Sequence, residues 1–207
     1  KDLSVMIAGK AGDGVLFTGN VLARLFKRHG WEASTYRDFP SNIRGEATSY
    51  IIRGSLGKSY GLSDRVDILL SFDCEATIAH LPQIGRGGIV FCDGHDESHL
   101  SSAARKGKAF HKFPLRVLAR EKFGQEIYKN MLALGALAYV LDLDCSVLDQ
   151  ILAEMYLKKK GEEVVRKTIG EKGEGPVGDD AHQLPVAGQG VLAPALFGHP
   201  APGGLVF

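Results

Sequence analysis

Three closely spaced glycines mark the first stretch able to do chemistry, in the run Gly9-Lys10-Ala11-Gly12-Asp13-Gly14. The apolar residues Val5 to Ala8 precede it, and an apolar-periodic segment follows it as far as His29. That order reads as strand, tight turn and helix start. Glycine permits positive φ and close backbone approach. The free N–H groups of such a turn, at the positive end of a helix, suit an anion and above all a phosphate. Gly9, Gly12, Asp13 and Gly14 are therefore candidate ligand-binding residues. The competing account is that the glycines only let the helix pack tightly on the strand.

A second segment, Pro40-Ser41-Asn42-Ile43-Arg44-Gly45-Glu46, is a polar turn between two β-prone runs. Arg44 offers a planar, permanently charged fork for a carboxylate or phosphate. Equally, Pro40 and Gly45 could simply shape a turn, with Arg44 paired at the surface. If the first two strands are adjacent, this loop and the glycine turn emerge on the same sheet edge and could share a ligand or a subunit boundary.

Other constellations are weaker. A dinucleotide site wants an acid at the end of the second strand. Asp38 stands only approximately there, and Lys10 and Asp13 are foreign to a small, neutral dinucleotide turn. Gly12-Asp13-Gly14 and Asn42, with residues 15–41 between them, imitate a thiamine-diphosphate metal signature. Asp and Asn oxygens suit a divalent ion, but the chain is too short for both thiamine-binding domains. His95 and His99 stand at metal-pair spacing in a polar loop, where a solvated loop is the simpler account. Tyr156 and Lys160 mimic a dehydrogenase pair, within a Lys-rich helical stretch that reads as a solvated face. No catalytic residue and no metal ligand is assigned to this chain.

The elements that must position these residues follow from pattern. The chain has 207 residues, 44% hydrophobic and 24% charged, enough for one large domain with a sizeable core. Its net charge of +1 argues against nucleic acid or a membrane surface as partner. It carries neither an apolar run of transmembrane length nor a basic-then-apolar leader. Cys74, Cys92 and Cys145 are separated in sequence and odd in number, which suggests a reducing, cytoplasmic setting. With no Cys-x-x-Cys pair, an iron–sulfur cluster is not expected on this chain alone.

Val15 to His29 reads as an amphipathic helix stopped by Gly30. Trp31 to Phe39 and Ala47 to Arg53 read as an antiparallel ribbon. Val66 to Phe72 and Ile89 to Cys92 are continuous apolar runs, as in strands buried on both faces, with Gly85 to Gly88 a turn before the second. Asp73 could cap a helix over Glu75 to Leu81. Further helices are expected from Phe113-Pro114 to Phe123, from Asn130 to about Leu141, and from Cys145 to about Ile169. The fold class is thus α/β with a mixed sheet hung on the glycine-rich first turn. Residues 1–169 would form the domain. Residues 170–207 hold nine of the 26 glycines and five of the eight prolines, and read as a tail, a linker or the truncated start of a further domain.

Taken together, the glycine turn with Gly19 and the run Asp38-Phe39-Pro40-Ser41-Asn42-Ile43-Arg44-Gly45 resemble the gamma domain of the 2-oxoacid:ferredoxin oxidoreductases. Val66–Phe72 with Asp73, Gly87-Gly88-Ile89-Val90 and Asn130-Met131-Leu132-Ala133-Leu134-Gly135 extend the resemblance over about Leu3 to Ile169. The Phe-Pro-Ser-x-Ile-Arg-Gly form is most similar to the version fused ahead of the alpha domain, typical of 2-oxoglutarate or broad 2-oxoacid enzymes. The resemblance implies a Rossmann-like three-layer α/β/α unit that is not catalytic by itself. It implies alpha and beta partners carrying thiamine diphosphate, magnesium and iron–sulfur clusters, and electrons leaving to ferredoxin through the complex. It also implies that Gly9, Gly12, Asp13 and Gly14, facing Ser41, Asn42, Arg44 and Gly45, contribute to the coenzyme A side of the assembly. Ala11, Asp13 and Glu46 depart from the family pattern, and the two acids would repel a phosphate. The rival readings are an independent Rossmann-type nucleotide-binding oxidoreductase and a pure scaffold domain.

Overall fold

A computed structural model of the chain describes residues 2–38, 48–57, 65–94 and 106–155. The chain divides into two compact units, residues 1–118 and 119–207. The first unit is built on a six-stranded sheet of order β2-β3-β1-β4-β5-β6. Its strands are β1 (Asp2–Gly9), β2 (Glu32–Asp38), β3 (Thr48–Ser55), β4 (Val66–Ser71), β5 (Ile84–Cys92) and β6 (Ala109–Lys112). β1, β4, β5 and β6 run parallel, whereas β3 is antiparallel to both β1 and β2. The sheet is mixed, as the ribbon signal in the sequence suggests.

Period-two alternation sorts the core between the two faces. Val5 stands opposite Ile52 and Ile7 opposite Tyr50, so these four share one face. Helix α1 (Val15–Arg28) covers that face: Gly19 backs onto the Tyr50 ring and Phe26 onto Gly54. Met6, Ala8, Leu69 and Val90 form the other face and pack with Ala76 of α2 (Cys74–His80) and with Leu81. The two helices therefore sandwich the sheet, giving three layers. α1 ends at Gly30, which takes φ 77° while His29 N–H bonds back to Leu25 O and Phe26 O. Stacking of Trp31 on Phe26, with centroids 5.2 Å apart, then turns the chain into β2.

One expectation is corrected. Gly85 to Gly88 is not a turn before a strand but lies inside β5, where the pairing with β4 slips between Val66↔Ile84 and Ile68↔Ile89. Gly87 adopts φ 79°, its N–H bonds to Gly107 O at 2.7 Å, and a Cβ on Gly88 would fall 2.5 Å from Ile84 Cγ2. The glycines make a bulge, and the strand continues through it.

Helix α3 (Leu115–Phe123) begins in the first unit and ends in the second. In the second unit α4 (Lys129–Val140) is buried without a break from Met131 to Ala138, so its sequence is apolar all round. A further helix, α5 (145–155), buries Leu148, Ile151 and Leu152 at helical spacing. Residues 156–169, expected to continue it, and the glycine- and proline-rich stretch lie outside the described residues, as do Tyr156 and Lys160.

Two outcomes test this architecture. A Cβ at Gly19 would meet the Tyr50 ring at 2.6 Å, so Gly19→Ala is expected to cost about 1–3 kcal/mol of stability in a denaturant titration. His80 is buried, and neither ring nitrogen meets hydrogen-bond geometry with a partner. Burial is the dominant effect and pushes its pKa below the ordinary 6.5, with nearby Gln83 and then Asp38 opposing. Because the unfolded chain takes up this proton first, stability falls as pH drops below about 6.5. Denaturation midpoints at neutral and mildly acidic pH should show a shallower decline for His80→Gln than for the native chain.

Candidate functional site

The parallel strands all end at one edge of the sheet, and the helices leave it on opposite faces. β1 feeds α1 on one face and β4 feeds α2 on the other, so the carboxyl ends of β1 and β4 flank the point where the winding reverses. Open α/β sheets bind their ligands outside such a point. The backbone ladder runs one residue past each strand there. Phe72 N–H bonds Ala8 O at 2.8 Å, Asp93 N–H bonds Ser71 O at 2.8 Å, and Phe113 N–H bonds Cys92 O at 2.9 Å.

The glycine turn is folded around its own acid. Asp13 N–H bonds Lys10 O at 3.0 Å, and Lys10 N–H donates to Asp13 Oδ2 at 2.9 Å. Gly12 and Gly14 take φ 95° and 83°, which side-chain-bearing residues rarely adopt. A Cβ on Gly9 would press on Phe72 and Asp13. Gly14 is the N-cap of α1 and supplies no side chain, and the helix carries no acid in its first turn.

Arg116 of α3 locks this arrangement. Its Nη2 donates to Asp13 Oδ1 at 3.0 Å, its backbone N–H to Asp93 Oδ1 at 3.2 Å, and its Nε stands 3.7 Å from Asp93 Oδ2. One guanidinium thereby joins the turn after β1 to the residue after β5. Sequence reasoning passed over Arg116, although a signal was available: an arginine in the first turn of a helix opposes the helix dipole and needs acidic partners.

Around the turn, Lys10 Nζ pairs with Glu75 Oε2 at 2.9 Å, and that bond, with the charges of Glu75 and Asp73, raises the lysine pKa. Asp73 caps α2, as expected, through Oδ1 and Ala76 N–H at 2.9 Å; its buried Oδ2 has no hydrogen-bond partner. Immediately around the turn, among the described residues, four carboxylates (Asp13, Asp73, Glu75, Asp93) thus face two cations (Lys10, Arg116). This described rim is net negative, so a phosphate beside it calls for a further cation. Of the residues singled out from the sequence, the turn at 9–14 is assembled as expected. Ser41, Asn42, Arg44, Gly45, Glu46, His95 and His99 lie outside the described residues. Among the described residues no group of three His, Cys, Asp or Glu side chains is arranged to hold a metal ion.

Comparison with known proteins identifies the lineage. The pyruvate ferredoxin/flavodoxin oxidoreductase family matches residues 4–169. The chain belongs to this family. The 2-oxoglutarate synthase subunit KorC of Archaeoglobus fulgidus is 28% identical over 80% of this chain and 84% of its own length. The 2-oxoglutarate:ferredoxin oxidoreductase of Magnetococcus marinus, solved with 2-oxoglutarate, coenzyme A and succinyl-CoA bound, is 30% identical with a TM-score of 0.69. That match covers 80% of this chain but 28% of the longer one. The gamma subunit of a keto/oxoacid ferredoxin oxidoreductase from Geobacter sulfurreducens, at 20% identity and a TM-score of 0.63, shares the fold over 80% of this chain and 89% of its own. Its curated relatives are described as subunits of 2-oxoglutarate synthase and of 2-oxoacid:ferredoxin oxidoreductases.

The strand order also tells against the independent dinucleotide reading. β1 and β2 are not adjacent, because β3 lies between them. Asp38 is therefore two strands from the glycine turn rather than beside it, where a ribose-binding acid would stand. The descriptions of relatives favour the oxidoreductase subunit as well. No helix among the described residues is long and apolar enough to cross a membrane.

Removing Arg116 should expose how much the lock contributes. Arg116→Ala leaves the largely buried carboxylates of Asp13 and Asp93 without their shared cation. A loss of roughly 1–3 kcal/mol in chemical denaturation is expected. Arg116→Lys should recover only part of it, since an ammonium cannot reproduce the fork.

Proposed function

We propose that this unit serves a complex that oxidatively decarboxylates a 2-oxoacid to its acyl-CoA and passes the electrons to ferredoxin. On this reading alpha and beta partners hold thiamine diphosphate, magnesium and the iron–sulfur clusters. The present chain, not catalytic alone, helps form the subunit boundary on the coenzyme A side, in the cytoplasm. Its contributing residues would be Gly9, Gly12, Asp13 and Gly14 with Ser41, Asn42, Arg44 and Gly45.

The observation that supports this most is a strand register. Thr48 stands opposite Gly9, and Asp38 opposite Ser49. Asp38 and Thr48, the described residues on either side of 39–47, thus stand at the edge where the glycine turn sits, although the strand beside β1 is β3 and not β2. The charge balance supports the same division of labour. The described edge has more acids than cations, so phosphate recognition needs a base from elsewhere, and Arg44 is the base the adjoining segment offers. The relative solved with coenzyme A and succinyl-CoA makes that coenzyme the chemically reasonable anion.

Two measurements test the reading. Affinity purification of the chain from its native cells should bring thiamine-diphosphate and iron–sulfur polypeptides in stoichiometric amounts; recovery alone, or with unrelated proteins, would reject it. In the reconstituted complex, Arg44→Ala should raise the KM for coenzyme A at least several-fold while the subunits still co-purify. Unchanged kinetics would leave this chain a scaffold.

A further inference from the structure

The sequence separates Cys74 from Cys92, but the fold brings their sulfurs to 3.8 Å. Cys74 is the first residue of α2 and Cys92 the last of β5, both at the sheet edge that carries the glycine turn. We propose that these two cysteines are an oxidant-responsive thiol pair, which hydrogen peroxide closes to an intramolecular disulfide between α2 and β5.

Three observations support the assignment. The sulfurs are already in contact at 3.8 Å, against a disulfide bond length of about 2.0 Å. The site is shaped for them: a Cβ on Gly94 would lie 2.1 Å from Cys74 Sγ and 3.2 Å from Cys92 Sγ, so glycine alone leaves the Cys74 sulfur its place. The two thiols also differ in a way that fits consecutive roles. Cys74 is partly exposed and Cys92 is buried. Burial pushes the Cys92 pKa up to about 12, with the Thr77 hydroxyl, 3.2 Å from its sulfur, opposing. Reactivity toward oxidants follows thiolate character and access. Cys74 is accordingly the first to react and Cys92 the one that resolves.

The chemistry balances with peroxide as the only co-reactant. The deprotonated Cys74 sulfur attacks one peroxide oxygen, the O–O bond breaks, and the departing hydroxide takes up a proton as water. Cys74 is then a sulfenic acid. The Cys92 sulfur attacks the Cys74 sulfur, the S–O bond breaks, and the sulfenic oxygen leaves with the Cys92 proton as a second water. Two thiols have lost two electrons between them, and one peroxide has become two waters. The new bond would tie the first turn of α2, which holds Asp73 and Glu75, to the end of β5 beside Asp93.

The test uses the full chain, reduced, exposed to hydrogen peroxide, alkylated and digested with trypsin without reductant. Cleavage at Arg65, Arg86 and Arg105 puts the two cysteines on separate peptides, 66–86 and 87–105. The expected product is these peptides joined, with free thiols falling from three to one and dithiothreitol restoring them. Cys145→Ser should leave the joined product intact. Cys92→Ser should instead accumulate a Cys74 sulfenic acid that dimedone captures, several-fold above the native chain. Over-oxidation of Cys74 with Cys92 still alkylatable after unfolding, or equal dimedone capture in the native chain and Cys92→Ser, would overturn the proposal.

Discussion

Strand β1 is the constraint on which the rest of the first unit depends. Every residue from Leu3 to Gly9 is buried, so both its faces and both its edges must be covered at once. β3 pairs along one edge for the whole length of the strand and β4 along the other for its second half. α1 and α2 then cover the two faces. A strand in that position cannot turn back along its own edge at its carboxyl end; it can leave only through a tight turn, and the glycines supply one. The geometry of the candidate site is therefore a consequence of how fully β1 is enclosed.

Local patterns were readable because their causes are local. The glycine turn, the Asp73 cap, the Gly30 stop and the apolar runs of β4 and α4 each depend on residues within a few positions. What could not be read was set by pairing across long sequence separations. The placement of β3 between β1 and β2 is a matter of register, to which β-branched composition is blind. The slip inside β5 depends on Gly87 meeting Gly107, and four residues with three glycines look the same in sequence whether they end a strand or bulge within one. Arg116 and the cysteine pair were missed for the same reason: their partners come from other strands' ends. The candidate turn was legible, then, but its electrostatic surroundings were not.

Those surroundings change how the glycine turn should be understood. A turn with free N–H groups at a helix start attracts anions, but here part of that capacity is satisfied from within. The Asp13 carboxylate takes the Lys10 N–H and in turn requires Arg116. An acid that looks from sequence like a barrier to phosphate is, in the fold, a structural strut whose charge is largely answered. Among the described residues no side chain caps the amino end of α1.

The remaining imbalance argues for a shared site rather than a self-sufficient one. Asp73 and Glu75 add negative charge that Lys10 partly offsets, and Lys10 is exposed and strongly hydrated, so its pairing with Glu75 is weak. A phosphate bound at this helix start would lie beside the acidic rim, which the backbone N–H groups and helix dipole offset only in part. Among the described residues this edge combines a helix start without a side-chain cap and an acidic rim, and the sequence between β2 and β3 carries one arginine and one glutamate. On the proposed reading such a surface would be completed by charge brought to it, from Arg44, from a neighbouring subunit or from both. A net-negative rim beside a helix start is in keeping with a domain of an oxidoreductase family whose relatives are subunits.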